Sequence, residues 1–158
     1  MALIHEKLYQ SKDISRLNFA AYIEDLVANL FSSYKGNSDK VKLELKIKDI
    51  LISIDKAIAI GLIINELVSN SLKYGFPGNK EGKIKVNLHS DENERSVLVI
   101  GDNGVGFPEG IDYKNTQSLG LQLVNTLVSQ LDGKIELVNK EGTEFRIFFL
   151  GFDYKYKE

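Results

Sequence analysis

The sequence predicts the α+β class: a two-layer α/β sandwich in which a mixed sheet carries its helices on one face. Three observations predict it. Val41 to Lys48 alternates strictly between apolar and charged residues, Ile84, Val86 and Leu88 alternate again, and Val97 to Ile100, Ile135 to Val138 and Glu144 to Leu150 read as further short strands. Between them lie apolar residues at helical spacing, over Phe19 to Phe31, Asp55 to Tyr74 and Leu119 to Leu131. Several of the links are short enough for hairpins.

In chain order, Met1 to Gln10 has a small apolar stripe of Leu3, Ile4 and Leu8 and is expected to be helical. Ser11 to Asn18 is a polar connection, and Asn18 is placed to cap a helix whose apolar face is Phe19, Tyr22, Ile23, Leu26, Val27, Leu30 and Phe31. Gly36, Asn37 and Ser38 end it. The strand Val41 to Lys48 puts Val41, Leu43, Leu45 and Ile47 on one side and Lys42, Glu44, Lys46 and Lys48 on the other. A short strand is expected at Leu51 to Ile54, then the long helix from Asp55. Gly75 to Gly82 is a loop and Asp91 to Glu94 a polar turn. The strand Val97 to Ile100 runs into Asp102-Asn-Gly-Val-Gly-Phe-Pro108. Glu109 to Ser118 is polar and irregular. Asp132 and Gly133 turn the chain into the closing hairpin.

Composition narrows the chemistry. The 158 residues include 43% hydrophobic and 27% charged, as in an ordinary globular domain that can bury a core. There is no cysteine, which removes thiolate catalysis, disulfides and sulfur-bound zinc. The two histidines, His5 and His89, are too few for a histidine cage. A net charge of −2 argues against nonspecific nucleic-acid binding. Charges interrupt the N-terminus where a signal peptide would be apolar, and the longest apolar run, Ala57 to Ile64, is too short to span a bilayer. A cytoplasmic location is expected, for a chain that is one piece of a longer protein which could itself be attached to a membrane.

Three motifs carry candidate chemistry. Asn65, Glu66, Ser69, Asn70 and Lys73 share one polar sector of the long helix, at about 100° per residue. A solvated helix face would be rich in Glu and Lys. Two amides with one carboxylate and one lysine instead suit a magnesium–phosphate cluster. The Asp102 to Pro108 segment follows a strand but does not open a helix, as a dinucleotide fingerprint must, and no returning strand begins at Val105. Ser118-Leu-Gly-Leu121 opens the last helix, where free N–H groups favour phosphate and Gly120 permits close approach. Gly78 to Lys83 is not a P-loop: both its glycine spacing and the residue after its lysine are wrong. His89 ends a strand as a surface residue. His5 lies beside Glu6 in the short first helix.

Together and in this order the motifs resemble the catalytic ATP-binding domain of sensor histidine kinases, within the GHKL ATPase superfamily. Asn65-Glu-Leu-Val-Ser-Asn-Ser-Leu-Lys-Tyr74 resembles the asparagine box. Asp102-Asn-Gly-Val-Gly106 and Leu119-Gly-Leu-Gln-Leu123 resemble the two glycine boxes, and Gly142-Thr-Glu-Phe-Arg-Ile-Phe148 the closing element. Ile4 to Ser11 resembles the end of a dimerisation region. The resemblance implies a Bergerat-type ATP-binding fold over residues 13–150, a truncated dimerisation segment over 1–12 and a tail over 151–158. It implies ATP and Mg2+ as cofactors, with Asn70 as metal ligand, Glu66 holding a water, and Lys73 meeting phosphate. Tyr74 would pack on adenine and Asp102 accept from its amino group. Gly104 and Gly106 would leave room for the nucleotide, and Thr143 would support the adenine pocket. Phe107 to Ser118 would form the lid, with Gly120 and Leu121 at its hinge.

The implied activity is transfer of phosphate from ATP to a histidine. The usual acceptor segment is absent, so that histidine would lie outside this chain. The implied partners are the parent's dimerisation and histidine-phosphotransfer domain, in a homodimer, and a downstream response regulator, with no nucleic acid. Two other functions are compatible with the same motifs: a nucleotide-switched regulatory module, and a GHKL-type ATPase in which Glu66 activates water.

Overall fold

The fold is taken from a computed structural model, which describes residues 16–34, 40–48, 52–76, 81–93, 95–106, 119–138 and 141–149. Its elements are α1 (Arg16–Ser33), β1 (Val41–Ile47), α2 (Ile54–Tyr74), β2 (Gly82–Ser90), β3 (Ser96–Asp102), α3 (Leu119–Gln130), β4 (Lys134–Val138) and β5 (Thr143–Phe149). The five strands form one sheet in the order β1-β2-β3-β5-β4. β1 and β2 are parallel, and every other pair is antiparallel. The sheet is therefore mixed, as predicted, and α2 is the crossover that the parallel pair requires.

Alternation sorts the two sheet faces. Ile84, Val86 and Leu88 on β2, Leu98 and Ile100 on β3, and Phe145, Ile147 and Phe149 on β5 are buried and join one core with the helices. α1 contributes Phe19, Tyr22, Ile23, Leu26 and Val27, and α2 contributes Ile60, Ile63, Ile64, Leu67, Val68 and Leu72. Each such side chain adds roughly 1.5–3 kcal/mol by leaving water. The opposite face has no helix among the described residues and carries Lys83, Lys85, Glu144 and Arg146 in ion pairs.

The two long helices lie close because of Gly61. A Cβ there would overlap the hydroxyl of Tyr22, so glycine is what admits the tyrosine ring into the α1–α2 seam. Burial pushes the Tyr22 phenol up to about 12, since the anion would lose its water.

Two expectations need correction, and two fall outside the described residues. Asn18 is not a cap: α1 already includes Arg16 and Leu17, so Asn18 lies within the helix. The strand expected at Leu51 to Ile54 does not form among its described residues. Ile52 and Ser53 are irregular, Ser53 has extended backbone, and its Oγ accepts from Lys56 N at 3.3 Å as the N-cap. The run Leu51 to Ile54 looked like a strand because two apolar residues flank a serine; that serine is the start signal of the helix. The predicted helix Met1–Gln10 and the Gly36 to Ser38 terminator lie outside the described residues. The turn at Asp132 and Gly133 is as expected, with Asp132 in the left-handed region at φ 56°, which short polar side chains tolerate.

Candidate nucleotide site

The site is built at the C-terminal end of α2, where the helix meets the end of the central strand β3. Glu66 and Asn70 stand one turn apart on α2 and are both half-buried. Lys73 is exposed in the last turn, and Tyr74 is 68% exposed, an uncommon state for a tyrosine ending a buried helix. Ser69, placed by spacing in the same polar sector, is buried.

Asp102 is the last residue of β3. Its two carboxylate oxygens are held separately. Ser71 donates its hydroxyl proton to Asp102 Oδ2 at 2.6 Å. The Gly104 backbone N–H donates to Asp102 Oδ1 at 2.9 Å. The carboxylate is thus fixed in direction and retains lone pairs for a further donor. Thr143 pairs with Asp102 across the β3–β5 ladder, and Gly142, at φ 111°, lies against the Asp102 carbonyl with no room for a Cβ.

The glycine corner after Asp102 is pinned from two sides. Val105 N donates to Gly75 O at 2.9 Å, and a Cβ on Gly104 would overlap that same carbonyl. Gly75 N in turn closes the last turn of α2 on Ser71 O. Asn103 Oδ1 accepts from Lys83 N at 2.8 Å, and Asn103 N donates to Lys83 O at 3.2 Å, so β2 holds the corner too. Gly106 takes φ 90°, where a side chain would be strained.

Of the predicted residues, the structure brings Asp102, Gly104 and Thr143 together against the end of α2 that carries Asn70, Lys73 and Tyr74. Gly120 and Leu121 open α3, which packs on α2. Leu121 is buried in the core, so its side chain packs rather than faces a ligand. The predicted lid, Phe107 to Ser118, lies outside the described residues.

Sequence reasoning missed Ser71, Gly75, Asn103 and Gly142. Ser71 follows Asn70 directly, about 100° further around the helix, on the flank of the polar sector. Its signal was one more small polar residue in an otherwise apolar stretch. A groove of about 590 Å³ bounded by described residues is a different feature. It lies on the outer sheet face beside Lys83, Lys85 and Arg146, and shares only Asp102 and Thr143 with the predicted site.

No cluster of three His, Asp or Glu side chains fit for a metal occurs among the described residues. A divalent ion here would need the Asn70 amide oxygen together with ligand phosphates. That donor set fits magnesium, which keeps waters and binds through few protein groups. The oriented Asp102 carboxylate, with lone pairs left for a further donor, fits a nucleotide base.

Comparison with known proteins defines the class. The family of histidine kinase-, DNA gyrase B- and HSP90-like ATPases matches residues 55–152, and this chain belongs to it. A second family, histidine kinase, matches residues 1–34, which takes in α1. ATP binding is the property the first family carries in its name. Among curated relatives, the sensor histidine kinase PdtaS of Mycobacterium tuberculosis is 30% identical over 149 residues, spanning 91% of this chain and 29% of that protein. Blue-light-activated histidine kinase 2 of Erythrobacter litoralis is 25% identical, spanning 86% and 41%. The chain therefore covers less than half the length of either relative. Among solved structures, the histidine kinase domain of the Erythrobacter litoralis EL346 blue-light-activated kinase superposes with TM-score 0.75 at 22% identity, covering 83% of this chain and 60% of that one. The mycobacterial kinase MprB gives 0.59 at 18%, covering 80% and 93%. These superpositions, at low identity, show the fold alone. No described helix is long and apolar enough to cross a membrane.

Proposed function

We propose that this chain is the ATP-binding catalytic domain of a cytoplasmic two-component sensor histidine kinase, supplying Mg-ATP for phosphoryl transfer to a histidine outside the chain. The observation that carries the reading is the Ser71–Asp102 hydrogen bond, which sets the asparagine-box helix against the glycine corner. The adjoining match of residues 1–34 to a histidine kinase family supports a kinase over the other ATPases of the superfamily.

In this reading Asp102 accepts the adenine amino proton, and its Oδ2–Ser71 bond keeps the acceptor lone pair aimed. Thr143 supports it from β5. Tyr74, exposed at the helix end, offers its ring to the base. Gly104 and Gly106 keep the path open. Asn70 presents an oxygen to magnesium, Glu66 holds a water one turn earlier, and Lys73 meets phosphate as a point charge. Gly120 and Leu121, at the start of α3, offer backbone groups to the phosphates. Magnesium, when bound, neutralises triphosphate charge and so favours in-line displacement. The domain's own contribution is positioning and exclusion of water, the terms that dominate phosphoryl transfer. The acceptor is a neutral imidazole nitrogen, a competent nucleophile near neutral pH. The partners are a dimerisation and histidine-phosphotransfer domain, in a homodimeric parent, and a response regulator. Residues 1–12 are assigned to that dimerisation region and 13–150 to the ATP-binding domain.

The test is titration with ATP and a non-hydrolysable analogue, with and without magnesium, followed by addition of a dimerisation fragment bearing a histidine. Magnesium-dependent binding and acid-labile phosphate on the fragment support the proposal. Phosphate release without acceptor, abolished by Glu66→Gln, would replace it with the hydrolase reading. Nucleotide-dependent partner binding with neither product would replace it with the regulatory module.

A further inference from the structure

β1 forms one edge of the sheet. Lys40 O accepts from Gly82 N, and Lys48 N donates to Leu88 O, so the even-numbered residues turn their backbone groups to β2. Strand geometry then turns the N–H and C=O of Val41, Leu43, Leu45 and Ile47 to the open side. None of these four has a partner there among the described residues.

The side chains of this edge are incomplete on both faces. On the helix side Leu43 is 37% exposed, and Leu45 and Ile47 are only partly buried. The neighbouring end of α1 is no better covered: Leu30, Phe31 and Tyr34 are partly buried as well. On the outer side Glu44 is engaged by Lys83 at 3.2 Å, whereas Lys42 and Lys46 form no ion pair among the described residues. The edge thus offers an apolar row on one face and a cationic row on the other, half of a set of cross-strand pairs.

These rows select the occupant. Edge lysines act against indiscriminate pairing. A second copy joined antiparallel through β1 would bring lysine rows to one face, where like charges repel. A strand bearing carboxylates opposite Lys42 and Lys46, and apolar residues opposite Leu43 and Leu45, satisfies both rows at once. We infer that the free edge of β1 is a docking site for an extended segment of a partner protein that alternates apolar and acidic residues and joins the sheet as an added strand. The inference is independent of the nucleotide site.

The experiment titrates the full chain with a short synthetic peptide of alternating valine and glutamate, with a valine–lysine peptide as control. Amide hydrogen exchange is the readout. The expected result is selective binding of the glutamate peptide, with the Leu43 and Leu45 amides slowed about tenfold or more. Binding should weaken as salt rises from about 50 to about 500 mM. The Lys42→Glu/Lys46→Glu variant should reverse the peptide preference. Leu43→Pro removes an edge-directed N–H without breaking a bond to β2, and should weaken the peptide with little change in melting. Equal binding of both peptides, protection elsewhere in the chain, or concentration-dependent self-association that protects these amides would each overturn the proposal.

Discussion

Ser71 and Asp102, separated by α2's last turn, a loop and two strands, meet through a 2.6 Å hydrogen bond. Ser71 gives its proton to Asp102 Oδ2, while Gly104 N–H holds Oδ1. The bond joins the helix layer to the sheet at the point where the candidate site opens.

Ser71→Ala should leave the fold intact and weaken adenine-nucleotide binding about five- to tenfold, the equivalent of one hydrogen bond of about 1 kcal/mol. Asp102→Asn should weaken it more, since the amide adds a donor where the base also donates. Calorimetric titration with an ATP analogue checks both. Parental affinity in the Asp102 variant would remove that residue from the site.

Asn70→Ala should abolish the magnesium dependence of nucleotide binding while the melting temperature moves little, because Asn70 is only half-buried. Titration in chelator and in magnesium separates the two terms.

Gly104→Ala would press a methyl group into the Gly75 carbonyl. The expected cost is about 1–3 kcal/mol of stability, from overpacking, together with loss of nucleotide binding. Gly75→Ala meets Ser71 O and offers a comparison on the other side of the same contact. Urea melts with and without ligand would distinguish an opened corner from a merely weakened fold.

Gly61→Ala should be destabilising by a similar ~1–3 kcal/mol because it evicts the Tyr22 hydroxyl. Tyr22→Phe removes the clashing oxygen, so the double variant should recover part of the loss. Additive losses in a double-mutant cycle would contradict the described contact.

Glu144 and Tyr22 give pH dependence of opposite sign. Burial alone would raise the Glu144 carboxyl, but hydrogen bonds from Arg146 and Lys85, with their charges, outweigh it and hold it below its ordinary 4.5. Its folded value is depressed, so its contribution is present above pH 4.5 and is lost as pH falls through the lower folded value. Tyr22 has the opposite sign: its folded value is raised from 10.0 to about 12, so its contribution is complete below pH 10 and lost as pH rises through about 12. Glu144→Gln and Tyr22→Phe should each flatten its own limb in denaturant melts run across pH.

Much of this was legible in the residues. Strict alternation located β1, the Asp132–Gly133 turn marked the β4–β5 hairpin, and the clustered amides of α2 marked the polar sector before any fold was known. The Asp-Asn-Gly-Val-Gly run stood out after its strand because it fits neither a hairpin nor a dinucleotide turn, and the role expected of Asp102 came from the family resemblance. What stayed hidden depended on neighbours distant in sequence. Ser71 has no signature of its own, since its role is set by a strand that arrives thirty-one residues later. Leu43 was expected to be covered with the rest of its row, yet β1 stands at the sheet edge, and alternation cannot tell an edge from a centre. The Ser53 cap was obscured by the two isoleucines around it, a run too short to separate strand from helix entry.

The glycine corner gathers segments from α2, β2, β3 and β5, so it exists only when both halves of the chain have come home. A molecule wedged there would act as a clasp, stitching early-made and late-made parts into one body. Thermal unfolding should therefore shift upward with nucleotide concentration across the entire domain rather than in one loop, and a fragment ending before β5 should grip nothing.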